Sequence, residues 1–154
     1  MKVFLAGIIQ GSIAEARIHS QDWRKPIREI LSRHLPRADV YCHYSQHPNS
    51  ITYDLKRIRE TMDEGNGIAA RCDLLIAYVP SASMGTALEM YLAAKNGAAV
   101  VSISPLTTNW VIRAYSDNLL ESIEEFESFA ASGGLVDLLR RKGCCSPEPQ
   151  EPLI

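Results

Sequence analysis

The stretch CDLLIAYVPSASMGTALEMYLAAKNGAAVVSIS, Cys72 to Ser104, decides the fold. It opens on CDLLIAYVP, a short apolar run stopped by a proline, as a buried strand would be. After a loop of small and hydroxylated residues, Met84 to Asn96 has the length and composition of a helix. AAVVSIS then makes a second buried strand. Strand, helix and strand in direct succession predict parallel neighbours, because parallel strands can be joined only by a crossover.

The flanking sequence repeats the pattern. KVFLAG is a compact apolar run near the N-terminus, and ADVYCH reads as the strand that follows it. Between them Trp23, Ile27, Ile30 and Leu31 recur at helical spacing, with Asp22 as the expected N-cap and Pro26 in the tolerated first turn. Ile51, Leu55, Ile58 and Met62 mark a second helix, which Gly65 and Gly67 should interrupt. A weaker strand at Asn118 to Leu120 precedes helical segments around Ile123 to Ala130 and Leu135 to Arg140. The expected class is α/β: a doubly wound, flavodoxin-like, mostly parallel five-stranded sheet with helices on both faces. Residues 1–143 should form a single domain and the Pro-rich residues 144–154 a flexible tail.

Composition excludes several functions. With 154 residues and 46% apolar content, the chain can bury one good core. A formal charge of −2 without a basic stripe argues against nucleic acid as a partner. The longest apolar runs are too short for a bilayer, and MKVFLAGIIQGS breaks into Gly and Gln before a signal peptide could form. Four cysteines lack disulfide or zinc spacing, so a reducing, cytoplasmic setting is expected, with no membrane partner.

In an open parallel sheet, ligands bind beyond the carboxyl ends of the strands. That places the site where Gly7 to Ser12 meets Ser81 to Glu89, with HYSQHPNS close by. Ser81, Ser83 and Thr86 supply hydroxyls, and the helix start supplies free amides, which suits an anion. GIIQGS adds amides and the Ser12 hydroxyl, although it matches neither a Walker loop nor a dinucleotide fingerprint. Glu89 stands alone on an apolar helix, with Gly85, Thr86, Leu92 and Ala93 one turn away. Burial would raise its pKa and the helix N-terminus would favour its ionised form. Such a carboxylate near an anion cradle suits attack on a sugar carbon. The competing reading has Ser83 and Thr86 as mere caps and Glu89 in solvent. Cys42, His43 and His47 cluster without partner acids at useful spacing, so no metal or other cofactor is expected. Tyr41, His43 and Tyr44 could form a base-stacking wall, and Arg17 could meet a phosphate.

VFLAG together with CDLLIAYVPSASMGTALEMYLAAKNGAAVV resembles the nucleoside 2-deoxyribosyltransferase superfamily, which includes the nucleotide N-hydrolases and CMP N-glycosidases. The resemblance covers Lys2 to Asp117 and implies that Glu89 is the nucleophile that attacks C1′ and displaces the base. Six residues earlier, the family's transferases carry an Asp for a free 5′-hydroxyl and its nucleotide hydrolases a Ser for a 5′-phosphate; here it is Ser83. The implied ligand is a nucleoside 5′-monophosphate, held by Ser83, Gly85 and the loop of Gly7, Ile8, Ile9, Gly11 and Ser12, with His43 beside the base. The family's strand-one Tyr falls on Phe4, counted with these binding residues, and its catalytic Asp falls on Gly65. Asp63 and Glu64 are the acids nearest that position and the candidates to protonate the base. TNWVIRAYSD resembles a family segment that reaches a neighbouring subunit, so Trp110 and Ile112 are candidates for a homodimer interface, or ordinary core. The implied activity is nucleotide N-glycoside hydrolysis; alternatives are base exchange by a deoxyribosyltransferase and a noncatalytic nucleotide sensor.

Overall fold

The computed structural model describes residues 1–144. The expected tail therefore lies outside the described residues, apart from Cys144. Five strands, β1 (Lys2–Gly7), β2 (Asp39–Cys42), β3 (Leu74–Tyr78), β4 (Ala99–Ile103) and β5 (Asn118–Leu120), form one sheet in the order β2-β1-β3-β4-β5. Every neighbouring pair is parallel. The helices are α1 (Arg24–His34), α2 (His43–Gln46), α3 (Leu55–Ala69), α4 (Met84–Lys95), α5 (Trp110–Tyr115), α6 (Ile123–Ala131) and α7 (Gly134–Arg141). This is the flavodoxin-like doubly wound arrangement that the sequence predicts. Among the described residues no helix is long and apolar enough to cross a membrane.

The two faces of the sheet follow from strand alternation. Val3, Leu5, Leu74, Ile76, Val101 and Ile103 join residues of α1, α6 and α7 in one buried cluster. Phe4, Ala6, Leu75, Ala77 and Val100 pack with residues of α3, α4 and α5 on the other. Chain order reverses between β1 and β3, which opens a crevice at their carboxyl ends.

Three local expectations change. Helix α1 begins at Arg24 without a side-chain cap: the residue before it is Trp23, which has helical dihedrals and carries no acceptor. Asp22 instead accepts a 2.8 Å hydrogen bond from the Ser20 hydroxyl. Strand β2 stops at Cys42, and His43 opens the short α2. Helix α3, capped by Asp54, runs unbroken through Gly65 and Gly67, with Ile51 before it in a separate 3₁₀ turn. Gly65 serves there as a packing notch, since a Cβ at that position would lie 2.8 Å from Nδ1 of His43.

Candidate active site

A cavity of 470 Å³ opens at the crevice between β1 and β3. The loop after β1 lines it with Gly7, Ile9, Gln10, Gly11, Ala14 and Ala16. The segment after β2 adds His43, Ser50, Ile51 and Tyr53, and α3 adds Ile58, Thr61 and Met62. The fourth side is Ser83, Met84, Gly85, Thr86 and Glu89. Gly11 adopts the left-handed φ of +59°, a conformation glycine takes without steric penalty and one that helps the first loop fold back over the strand ends. Gly7 has a packing reason: a Cβ there would collide with the Trp23 indole and approach the Tyr78 carbonyl to 2.9 Å.

The start of α4 combines a hydroxyl cap with helix N-terminal amides, a combination that suits an anion. The Ser83 Oγ caps the helix by accepting the Thr86 N–H at 3.5 Å, and it shares a 2.9 Å hydrogen bond with Thr86 Oγ1. When Thr86 is the donor in that pair, the Ser83 proton is free for a ligand. A Cβ at Gly85 would meet nothing within 4 Å, so there is open space beside the first turn of α4, and Gly85 lines the cavity. Capping and ligand binding are thus compatible in the same hydroxyl.

Glu89, one turn further along α4, is partly buried and lines the cavity rather than pointing away into solvent. Desolvation pushes its pKa up to about 8, and the positive charge of Arg24 offsets only part of that rise. Arg24 is itself only 6% exposed. Its guanidinium donates to Cys42 Sγ at 3.3 Å, to the Leu5 carbonyl at 3.4 Å and to Gln21 Oε1 at 2.8 Å. It also stacks over the Trp23 ring, with Cζ 4.1 Å from the centroid. Burial lowers the pKa of Arg24 from its ordinary high value. The sequence reading missed this residue because a basic side chain in the first turn of a helix ordinarily lies in solvent.

Of the proposed site residues, Gly7, Ile9, Gly11, His43, Ser83, Gly85 and Glu89 meet at the cavity. Phe4, Ile8 and Ser12 do not line it. Phe4 is fully buried behind the wall with its ring 5.2 Å from Tyr41, Ile8 is 1% exposed, and Ser12 faces solvent. Asp63 and Glu64 lie on the exposed side of α3 and outside the cavity lining, whereas Thr61 and Met62 contribute to it. The notch at Gly65 is taken by the His43 ring. Arg17 sits on the exposed loop 3.8 Å from Glu15. Tyr44 packs on the opposite side of the sheet edge, beneath Arg24 at 5.3 Å. Ile112 is core at 3% exposure, and Trp110 is 86% exposed.

A polar chain runs along the β2 side of the cavity. Tyr41 Oη is 3.4 Å from His43 Nδ1, and the His43 and His47 rings lie 4.9 Å apart. Burial, and then the adjacent His47, hold His43 below the usual histidine pKa, so it is neutral near pH 7. Burial first, then Glu64 and Glu89, push the Tyr41 phenol up to about 12. Among the described residues no three His, Cys, Asp or Glu side chains converge on a point that could hold a metal.

The fold and cavity together define a flavodoxin-like α/β domain with a carboxylate site at its topological switch point. Solved structures share this fold. A 2-deoxyribosyltransferase from the psychrotolerant bacterium Bacillus psychrosaccharolyticus matches with a TM-score of 0.61 at 13% identity, over 82% of this chain and 90% of that one. A conserved protein from Enterococcus faecalis V583 matches at 0.55 and 18% identity, over 86% of this chain and 98% of that one. The CMP N-glycosidase of Clostridium botulinum gives 0.50 at 18% identity, with the same shares covered. At these identities the likeness is one of fold. No protein-family model matches the chain, and no curated protein matches it in sequence.

Proposed function

We propose that the chain is a member of the nucleoside 2-deoxyribosyltransferase superfamily that hydrolyses the N-glycosidic bond of a nucleoside 5′-monophosphate, ribo or 2′-deoxy. The observation that carries this reading is the pairing, on one helix, of a hydroxyl-capped amide terminus with a partly buried carboxylate one turn away, both facing one cavity. The terminus suits a phosphate dianion. The carboxylate suits covalent attack at C1′, with water releasing the sugar phosphate afterwards. His43, neutral and on the cavity wall, is placed to accept or donate one hydrogen bond to a base.

One observation favours a second reading. Glu89 lines the cavity from a partly buried position, and burial favours its protonated form, which does not attack. A nucleotide sensor that binds without turnover would have that property. The deciding experiment incubates the protein with the common ribo- and deoxyribonucleoside 5′-monophosphates, with and without a second free base, followed by chromatography. Free base is the expected product. Base exchange would make the protein a transferase, and tight binding without either product would make it a sensor.

The proposal includes a homodimer. Met84, at 83% exposure, Leu88 and Tyr91 on α4 and Trp110 and Val111 on α5 are exposed apolar side chains; Met84 and Val111 line one groove, and Met84 also lines the cavity. Sedimentation across a concentration series should show a dimer, and a monomer throughout would remove it.

A further inference from the structure

Hydrolysis needs a proton for the departing base, and the acids suggested by sequence do not line the cavity. A different donor does. Tyr53 lines the cavity, and its hydroxyl lies 3.1 Å from His47 Nδ1. His47 is 5% exposed, and its Nε2 stands 3.4 Å from Oε2 of Glu64. That nitrogen, although buried, makes no hydrogen bond among the described residues. A buried imidazole nitrogen left that way is costly unless the arrangement has a use. With a proton on each ring nitrogen, Nδ1–H can donate to the Tyr53 oxygen at 3.1 Å, and the ring's charge lies 3.4 Å from the Glu64 carboxylate.

From this geometry we infer that Tyr53 is the catalytic acid of the site, with His47 and Glu64 as positioning residues that hold and recharge it. The inference rests on the glycosidase reading. In the first step the Glu89 carboxylate bonds to C1′, the C1′–N bond breaks, and its electron pair goes to the base nitrogen. That nitrogen takes the Tyr53 hydroxyl proton. The phenolate takes the Nδ1 proton of His47, leaving a neutral imidazole protonated at Nε2, the nitrogen 3.4 Å from Glu64 Oε2. In the second step water attacks C1′ and the bond to Glu89 breaks, returning its electron pair to the carboxylate. The water proton passes to Tyr53 as Tyr53 returns its own to His47. The sum is one water added across the glycosidic bond.

The order of residues suits this task. Among the described residues, Glu64 on α3, His43 on α2 and Tyr53 in the connecting loop face His47. The Arg57 guanidinium sits over the Tyr53 ring, 5.5 Å from its centroid. It also precedes Asp54, whose carboxylate caps α3, so the loop that carries the phenol is anchored to the helix that carries Glu64. The sequence offered no signal for this role beyond a tyrosine before a helix cap.

The test compares wild type with Tyr53→Phe, His47→Asn and Glu64→Gln on a nucleoside monophosphate and on 4-nitrophenyl 2-deoxyribose 5-phosphate, whose nitrophenolate departs without a proton. Tyr53→Phe keeps the ring and its stacking, and thermal melts check the fold. Its kcat on the nucleotide should fall about 10² to 10³-fold, and its loss on the nitrophenyl substrate should be far smaller. His47→Asn and Glu64→Gln should show the same dependence on leaving group at about tenfold. Imidazole ¹⁵N spectra of His47 should change at Nδ1 in Tyr53→Phe and at Nε2 in Glu64→Gln. Equal losses on both substrates, or unmoved ¹⁵N signals, overturn the relay while leaving the glycosidase reading intact. A wild type that releases base from no monophosphate overturns that reading, and the role of Tyr53 with it.

Discussion

Glu89→Gln should abolish base release by several orders of magnitude while the nucleotide still binds, because the amide keeps the shape of the side chain and loses its nucleophilicity. The same variant should become more stable than wild type as pH rises. The sign follows from where the proton sits. An unfolded glutamate titrates near 4.5, whereas burial moves Glu89 to about 8 in the folded protein. The folded state therefore holds the proton through the interval between them, and wild-type stability falls as pH rises from 4.5 to 8. Glutamine carries no such penalty. The gap should be small at pH 4, widen to a few kcal/mol by pH 8 and stay level beyond it. Denaturant unfolding at several pH values measures it. Activity should move the opposite way over that interval, with kcat/KM of wild type rising as the carboxylate ionises. A wild-type rate already level from pH 5 upward would remove Glu89 ionisation from the rate-determining chemistry.

Ser83 carries the second large effect, the choice of substrate. If its hydroxyl and the first amides of α4 hold a phosphate dianion, wild type should turn over monophosphates much faster than the matching nucleosides. Charge-assisted hydrogen bonds contribute roughly 1.5–3 kcal/mol each, so several of them amount to a few powers of ten in kcat/KM. Ser83→Ala removes both a donor and the helix cap, and should also cost about 1 kcal/mol of stability. Ser83→Asp restores a good cap, so the fold should survive, but it sets a carboxylate against the phosphate. Monophosphate turnover should then suffer more than in Ser83→Ala, while nucleoside turnover suffers less or improves. The measurement is kcat/KM for one nucleoside and its monophosphate across the three proteins. Equal wild-type values for the two substrates would dismiss the phosphate and move base exchange ahead of hydrolysis.

The fold was legible because its signals are local. The apolar runs of β1, β3 and β4 and the helix between the latter two are each written in consecutive residues, and parallel pairing follows from their alternation. The Ser83 to Glu89 half of the site was legible for the same reason, since helix spacing alone puts these groups on one wall. What stayed hidden depends on contacts between distant segments. Gly65 and Gly67 look like a helix break until the His43 ring is seen filling the space above Gly65. Arg24 looks solvated until β1 and β2 are seen to supply Leu5 and Cys42 as its acceptors. Tyr53 looks like loop until His47 folds back to meet it. Phe4 is a candidate because the family's strand-one Tyr falls on it, and Ile8 and Ser12 because they share the loop after β1; Phe4 and Ile8 lie in the core and Ser12 in solvent.

The pairing of β1 with β3 bears on how the molecule folds. Their shared end is fastened by the Lys2 N–H donating to Asp73 Oδ2, a closure of 71 positions in sequence. Contacts that span so much chain form only after the entropy of a long loop has been lost, so folding should be slow for a domain of this size. The cavity straddles that same seam. No fragment containing Ser83 and Glu89 alone can present it, and an occupant would bind only chains in which the seam has already closed. Ligand should accordingly slow unfolding and leave the folding rate nearly unchanged.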